Sequence, residues 1–483
     1  MLAQTYDVTD NGLTYTFHLR PNLKFSDGTK LDANDIAYSV DRSLSPDINN
    51  QSGVALTYLG LIKNATERTQ GKVNSVIGSG VVVSDPNTIV FHLTKPAAYF
   101  LGALTYPTSF PVEKSVIDKW GAKWTEHLSD NGGQGGIGPF KVKSYSHTTG
   151  IKFVPNPNYY GPKPQLQELD YAPYKDRQTS YNAYLANQAD LTAIPLSEYQ
   201  SAKSRNDFQQ NPALTIFYVG MNYLVKPLNN IHVRQGLAAA LNRDAIVQVA
   251  WHGAYIPSCH IVPQGMYGYD ANLTCPAGTT TKGDQSKAKQ LFNQGLQEEG
   301  LTASKFPTIT MTYPSDSPEA ANEAATEVQM WKNVLGITIN TATASQNSMY
   351  TLEAQTTGHN GPLQMWLGGC GADYPDPQDW ITLQFGQGEP YNNFNYGQNS
   401  GATAAQQQTL QKQMLAADVM SNSAERLQAY NKIEQQLVND VSWLSIYQRP
   451  DIWLVKPYVA NLKFNAASSI APNDWNNIYI TQH

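Results

Sequence analysis

Carboxylates are densest in the run Asp373-Tyr374-Pro375-Asp376-Pro377-Gln378-Asp379-Trp380. Three chemistries suit aspartates so closely spaced. Two of them could serve a glycoside hydrolase, one as general acid and the other as base or nucleophile. A Pro-stiffened loop could use them to cap the helix that follows, with Asp379 at the head of Trp380-Ile381-Thr382-Leu383. One of them could anchor a cationic group of a ligand. Side-chain physics alone ranks helix capping first.

The other reactive residue types form no catalytic or metal motif. No HExxH, GxSxG, EF-hand loop or Walker A is present. The nine histidines are scattered and read as surface or strand residues. The glycine cluster NGGQGGIG at 131–138 runs into Gly138-Pro139-Phe140, whereas a phosphate-cradling loop needs a terminal Gly-Lys-Ser/Thr. It reads as a flexible connection between units. Of the three cysteines, Cys259 and Cys275 share one loop, CHIVPQGMYGYDANLTC. A metal site with His260 and a disulfide both fit. The disulfide is favoured, because an irregular loop gains most from a staple. Cys370 reads as a small buried residue. No metal and no cofactor is expected.

These residues need a large scaffold, and the chain has one. It holds 483 residues, beyond the size of a single core, so two or more lobes are expected. Apolar residues make up 41% and charged residues 15%, against roughly 25% charged in an average soluble protein. Polar amides, Thr and 28 tyrosines fill the gap, a composition suited to binding by hydrogen bonds and aromatic faces. The net charge of −6 and the absence of Lys/Arg runs argue against a nucleic-acid partner. No run of about 18 apolar residues is present, so no spanning helix is expected. Met1 leads straight into LAQTYDVTDNGLTYTF, with neither a basic start nor an apolar segment, which on its own reads as cytoplasmic.

Periodicity supplies the elements. Tyr15, Phe17 and Leu19 alternate along a half-buried strand. A helix follows, capped by Asp32 with Asp35 in a capping box, and Ile36, Val40 and Leu44 fall on one face. A second strand covers 89–93. Further on, strands are expected at 214–219, 308–313 and 337–341, and helices at 231–249, 286–299, 320–334, 403–420 and 424–439. The helix–strand rhythm over 286–341 marks an α/β protein.

Several stretches, taken together, resemble one family. Ala3-Gln4-Thr5-Tyr6, then Asp10, then LTYTFHLRPNLKFSDGT at 13–29 with residues 35–42 behind, resemble the signature of family 5 of the bacterial extracellular solute-binding proteins. These are the oligopeptide-, dipeptide- and nickel-binding components of ABC importers. Trp120-Gly121-Ala122-Lys123-Trp124, Asn156-Pro157-Asn158-Tyr159-Tyr160, VRQGLAAALNR at 233–243 and the 331–337 segment follow in the family's order.

The resemblance implies a two-lobed α/β clamp that closes on its ligand, with an extra α+β subdomain. Residues 1–140 would be that subdomain, 141–215 with 456–483 the first lobe, and 216–455 the second. It implies an extracytoplasmic, lipid-anchored monomer that delivers peptides to a permease and is not an enzyme. It also implies a leader and a first strand upstream of Met1, making the chain N-terminally truncated. Asp373, in Ala372-Asp373-Tyr374, matches the family aspartate that pairs with a peptide's α-amine. The strand from Trp366 through Cys370 and Gly371 would hydrogen-bond the peptide main chain, as in strand addition. Some peptide binders carry an arginine where this chain has Leu367. An oligosaccharide binder of the same family, stacking sugars on Trp366, Trp380, Trp443, Trp453 or Trp475, is the neighbouring alternative. A glycoside hydrolase using the carboxylates of 373–379 is the alternative of another class.

Overall fold

The structure, a computed structural model, describes residues 1–48 and 54–482. The chain divides into two units: Met1–Ala193 with Leu454–Asn465 and Ser469–His483, and Ile194–Trp453 with Ala466–Ser468. The first boundary between these units falls at 193/194. The reason is packing, since Leu196 and Tyr199 belong to the second unit's core.

In the first unit, strands β1 (Ala3–Thr9), β2 (Thr14–Leu19), β3 (Val81–Asp85) and β4 (Thr88–His92) form an antiparallel sheet in the order β1-β2-β4-β3. The alternation in β2 buries Tyr15 and Leu19, and the Tyr15 hydroxyl donates to Ala97 O at 3.0 Å. The expected capping box is present ahead of helix Ala33–Ser43: Asp32 accepts from Asn34 N, and Asp35 accepts from Asp32 N. Ile36, Val40 and Leu44 are buried. The sequence did not signal β1, whose side chains are nearly all exposed and so carry no apolar alternation. Strands β5 (Phe140–Ser146), β6 (Gly150–Pro155) and β7 (Leu169–Tyr171) make a second antiparallel sheet, and β8 (Leu191–Ala193) ends the first segment.

The glycine cluster, expected to be flexible, is held in place. It lies within the first unit, where its backbone makes hydrogen bonds to three neighbouring groups. Gly135 N donates to Glu113 Oε2 at 3.0 Å, Gly136 N to Ser26 Oγ at 3.2 Å, and Ser26 N to Gly136 O at 2.8 Å. Glycine is needed because the loop passes so close to its neighbours. A Cβ on Gly133, where φ is +99°, would lie 2.8 Å from Val142 O.

The second unit is built on one sheet. Its strands are β9 (Phe208–Met221), β10 (Ile256–Pro257), β11 (Ile309–Pro314), β12 (Ile339–Ala344), β13 (Met365–Gly371) and β14 (Leu444–Val455), in the order β10-β14-β9-β13-β11-β12. β13 runs antiparallel to β9 and parallel to β11, and β11 runs parallel to β12. Parallel neighbours require crossovers, and helices Pro318–Leu335 and Gln346–Thr356 supply them. The period of two along β13 sends Met365 and Leu367 into one buried cluster and Trp366 into the other. Trp366 reaches its place only because residue 220 on β9 is glycine: a Cβ there would lie 2.3 Å from the indole.

The segment expected as one helix over 231–249 is two, Ile231–Ala239 and Arg243–Ala250. Asn242 breaks it by capping the second, its Oδ1 accepting from Ala245 N at 3.0 Å. Helix Gln346–Thr356, which the periodicity did not signal, has only Met349 and Thr356 fully buried.

Candidate functional site

The site is assembled at the C-terminal end of β13, within the second unit. β9 pairs with β13 along its full length, from Met365–Met221 to Gly371–Thr215. β11 pairs only with Met365 and Trp366. From Leu367 to Gly371 the other edge of β13 therefore carries no strand among the described residues. Such an edge offers backbone N–H and C=O groups to an added chain.

The acidic loop that follows is rigid, and each carboxylate has its own task. Asp376 caps helix Pro377–Trp380, its Oδ1 accepting from Gln378 N at 2.9 Å. It also takes a bidentate pair of hydrogen bonds from Arg426, at 2.8 and 2.7 Å. Burial alone would lower the Arg426 pKa, and the bonds to Asp376 more than reverse this. Behind the pair, the Tyr430 hydroxyl donates to Asp418 at 2.6 Å and Thr382 donates to the same oxygen at 2.7 Å. The capping role expected of Asp379 thus belongs to Asp376. Asp379 points back instead, its Oδ2 accepting the backbone N–H of Asp373 at 2.9 Å. Asp379 is 1% exposed and its Oδ1 has no hydrogen-bond partner among the described residues. Burial first and the Asp373 charge second hold its carboxyl well above the usual range, which favours the neutral acid.

Asp373 itself is half-buried, fixed through its backbone at the end of the free strand edge. Gly371 is exposed and Cys370 half-buried beside it. Burial, then the charges of Asp379, Asp373 and Glu353, push the Cys370 thiol well above its usual value, so it is an inert thiol. Trp366 and Tyr374 offer no side-chain surface. Trp366 is fully buried and stacked 5.4 Å from Phe394, and the Tyr374 hydroxyl donates to Gln378 Oε1 from a buried position. Their contribution is to brace β13 and the loop from behind. Trp380 and Trp443 are likewise core residues, so neither presents a stacking face for a sugar. Leu367, at the family's arginine position, is buried in the opposite cluster.

Two titratable residues of the second unit were not anticipated. Glu353, on helix Gln346–Thr356, is half-buried, and burial lifts its carboxyl to about 7. Tyr218, on β9, is 5% exposed, and burial followed by the Glu353 charge raises its hydroxyl well above the usual value. Neither stands in a motif, and only the sheet order sets Tyr218 opposite Gly368 of β13.

Away from this site, Cys259 and Cys275 form a disulfide. His260 beside it lies 3.8 Å from Glu434, and burial lowers its pKa to about 4. No group of metal-ligating side chains is assembled among the described residues. Nor is any described helix long and apolar enough to cross a membrane.

Residues 1–392 match the family model for bacterial extracellular solute-binding proteins, family 5. The chain belongs to this family. It is 28% identical over 478 residues to the periplasmic oligopeptide-binding protein OppA of Salmonella typhimurium, covering 97% of this chain and 82% of that one. The fold is that of the family's solved structures. The Borrelia burgdorferi periplasmic oligopeptide-binding protein/oligopeptide ABC transporter OppAIV superposes with a TM-score of 0.76 at 24% identity, over 99% of this chain and 90% of its own. Haemophilus influenzae OppA, solved in complex with RPPGFSPFR, gives a TM-score of 0.76 at 21% identity, over 100% and 90%. The α/β fold and family membership expected from the signature stretches are thus both met.

Proposed function

We propose that this chain is the peptide-binding component of an ABC importer, a monomer working outside the cytoplasm and handing its cargo to a permease. It is read as a binding protein, with no catalytic role for the carboxylates of 373–379. The assignment of residues 1–140 to an extra α+β subdomain belongs to the same reading. One observation carries the proposal: an edge of β13, Leu367 to Gly371, that is unpaired among the described residues ends at Asp373, whose backbone N–H is held by the buried Asp379. A peptide adding to that edge satisfies its backbone groups whatever its sequence, because main-chain groups are common to all peptides. Asp373 then meets the terminal ammonium and fixes the register. The other aspartates are unsuited to that role, since Asp376 is committed to Arg426 and Asp379 is sealed from solvent. The relatives named for oligopeptide binding support the same ligand class.

Titration calorimetry with a tripeptide and its N-acetyl form, on the wild type and Asp373→Asn, tests this. A charge-assisted hydrogen bond contributes ~1.5–3 kcal/mol, so each change alone should weaken binding by about tenfold or more. Both together should cost little more than either, because they delete one interaction. Equal affinity for the free and acetylated peptides would remove Asp373 from the site.

A further inference from the structure

We propose that the loop closed by Cys259–Cys275 positions the ligand-anchoring Asp373 through Gln448, so that the oxidation state of this disulfide sets how tightly a peptide's terminal ammonium is held. The inference rests on the peptide reading, with Asp373 as the anchor, and adds a control on that anchor.

Between Pro257, where β10 ends, and Pro276 the chain forms neither helix nor strand. Loop 259–275 keeps its place through ties to other segments. Gln448, on β14 and 2% exposed, supplies the central one. Its Oε1 accepts from Gln264 N at 2.9 Å. Its Nε2 donates to Gln264 O at 2.9 Å and to Ala213 O at 2.8 Å. One buried amide thus joins the middle of the loop to β9. The next residue of β9, Leu214, accepts the backbone N–H of Ala372 at 2.8 Å, and Ala372 directly precedes Asp373.

A second tie reaches Asp373 from its other side. At Gly268, where φ is +91°, the loop crosses helix Pro377–Trp380 so closely that a Cβ would lie 2.7 Å from Pro377 Cγ. That helix carries Asp379, whose Oδ2 holds the Asp373 N–H at 2.9 Å. Ile261, Val262 and Met266 of the loop share an apolar cluster with Leu214 and Trp380. The backbone at Asp373 therefore hangs from two supports, Leu214 and Asp379, and the loop packs against both.

The disulfide is placed to govern these ties. Cys259 is buried and Cys275 half-buried, and with Gln264 and Gln448 they line one open cavity of about 390 Å³. The cavity admits a small dithiol to the bond and leaves the loop room to shift. In the exchange the two thiols of the reductant become a disulfide, and their two electrons and two protons convert Cys259–Cys275 into a pair of thiols. Opening the staple returns conformational freedom to an irregular loop. Glu434 and Gln435 still hold Ile261, Val262 and Thr274 near its two ends, so the loop slackens without leaving the unit. The slack falls in the middle, at Gln264 and Gly268. Charge-assisted hydrogen bonds depend steeply on distance and angle, and a site loosened by about 1 Å forfeits much of their benefit.

The experiment reads the ratio of affinities for tri-alanine and N-acetyl-tri-alanine by calorimetry. It compares the oxidised protein, the protein reduced with dithiothreitol, and Gln448→Met with its disulfide intact; a thiol count verifies each state. The ratio separates positioning from stability, because partial unfolding lowers both affinities alike and leaves their ratio unchanged. In the oxidised wild type it should be about ten, as expected for one charge-assisted contact. Reduction should lower it to about three or less, reoxidation should restore it, and Gln448→Met should lower it as far. Reducing Gln448→Met should add little, since both changes act along one route. A ratio of about ten that survives verified reduction overturns the redox control, and one that survives Gln448→Met overturns the positioning role. Both results leave the peptide reading intact. If dithiothreitol unfolds the protein, the redox control is overturned and Gln448→Met alone decides the positioning role. A ratio of about one in the oxidised wild type overturns Asp373 as the anchor, and this inference with it.

Discussion

The buried pair Arg426–Asp376 should be the most damaging single polar contact to break in the second unit. Their side chains are 3% and 12% exposed, and two parallel hydrogen bonds of 2.8 and 2.7 Å join them. The change Arg426→Met keeps most of the side-chain volume and removes the charge. It leaves the Asp376 carboxylate nearly dry, still accepting from the Gln378 N–H at 2.9 Å. Removing one member of a buried pair costs ~3–5 kcal/mol, and the surviving N–H bond points to the lower end, ~3 kcal/mol. The Tyr430 hydroxyl loses its 3.2 Å bond from Arg426 but keeps its bond to Asp418, so the damage should stay local. With a urea dependence of about 3 kcal/mol per molar, the unfolding midpoint should drop by ~1 M. Fluorescence is a suitable probe, since Trp380 lies fully buried in the helix that Asp376 caps. The double change Asp376→Asn with Arg426→Met should cost less than Arg426→Met alone, because no charge is then stranded and asparagine still caps. A midpoint shift below ~0.3 M for Arg426→Met, or a double variant that costs the sum of the two singles, would refute the reasoning.

Two further outcomes follow from the same unit. The Cys259–Cys275 bond closes a loop with a sequence separation of 16, so replacing both cysteines by alanine should cost ~3 kcal/mol; an unfolding midpoint indifferent to reductant in the wild type would contradict this. Glu434 is buried, accepts the Ile261 and Val262 N–H groups through Oε1, and is pushed by burial to about 8 from an ordinary 4.5. Its folded pKa is raised, so its contribution is complete below pH 4.5 and is lost as pH climbs towards about 8, because the unfolded chain ionises first. Glu434→Gln keeps the acceptor and removes the proton, so the stability of wild type minus variant should fall by up to ~1.4 kcal/mol per pH unit between pH 6.5 and 8. His260 beside it is already neutral in that window, and a flat difference across it would rule out the buried acid.

Local patterns in the chain fixed a good part of this protein. The alternation in β2, the Asp32/Asp35 capping box, the helix expected at 424–439 and the helix–strand rhythm after residue 285 are all short-range. They depend on residues two to four apart, and such spacing is written directly in the sequence. The same holds for the family signature and for Asp373 as the candidate anchor. The exposed strand β1 left no periodic trace, and one asparagine cap was enough to split an apparently continuous helix.

What only the tertiary structure decided is which carboxylate does what. Asp376 and Asp379 have similar neighbours in sequence, yet a guanidinium fifty residues away takes the first, and burial with a backbone N–H takes the second. Trp366, Trp380 and Trp443, offered as stacking faces for sugars, are core, and Gly220 and Phe394 receive Trp366 from different segments, whereas Trp453 and Trp475 are half-buried. Tyr218 stands opposite Gly368 solely through the pairing of β9 with β13. Spacing along the chain dictates which face a residue occupies. What stands opposite that face depends on burial and on strand order, and these are set by the whole chain at once.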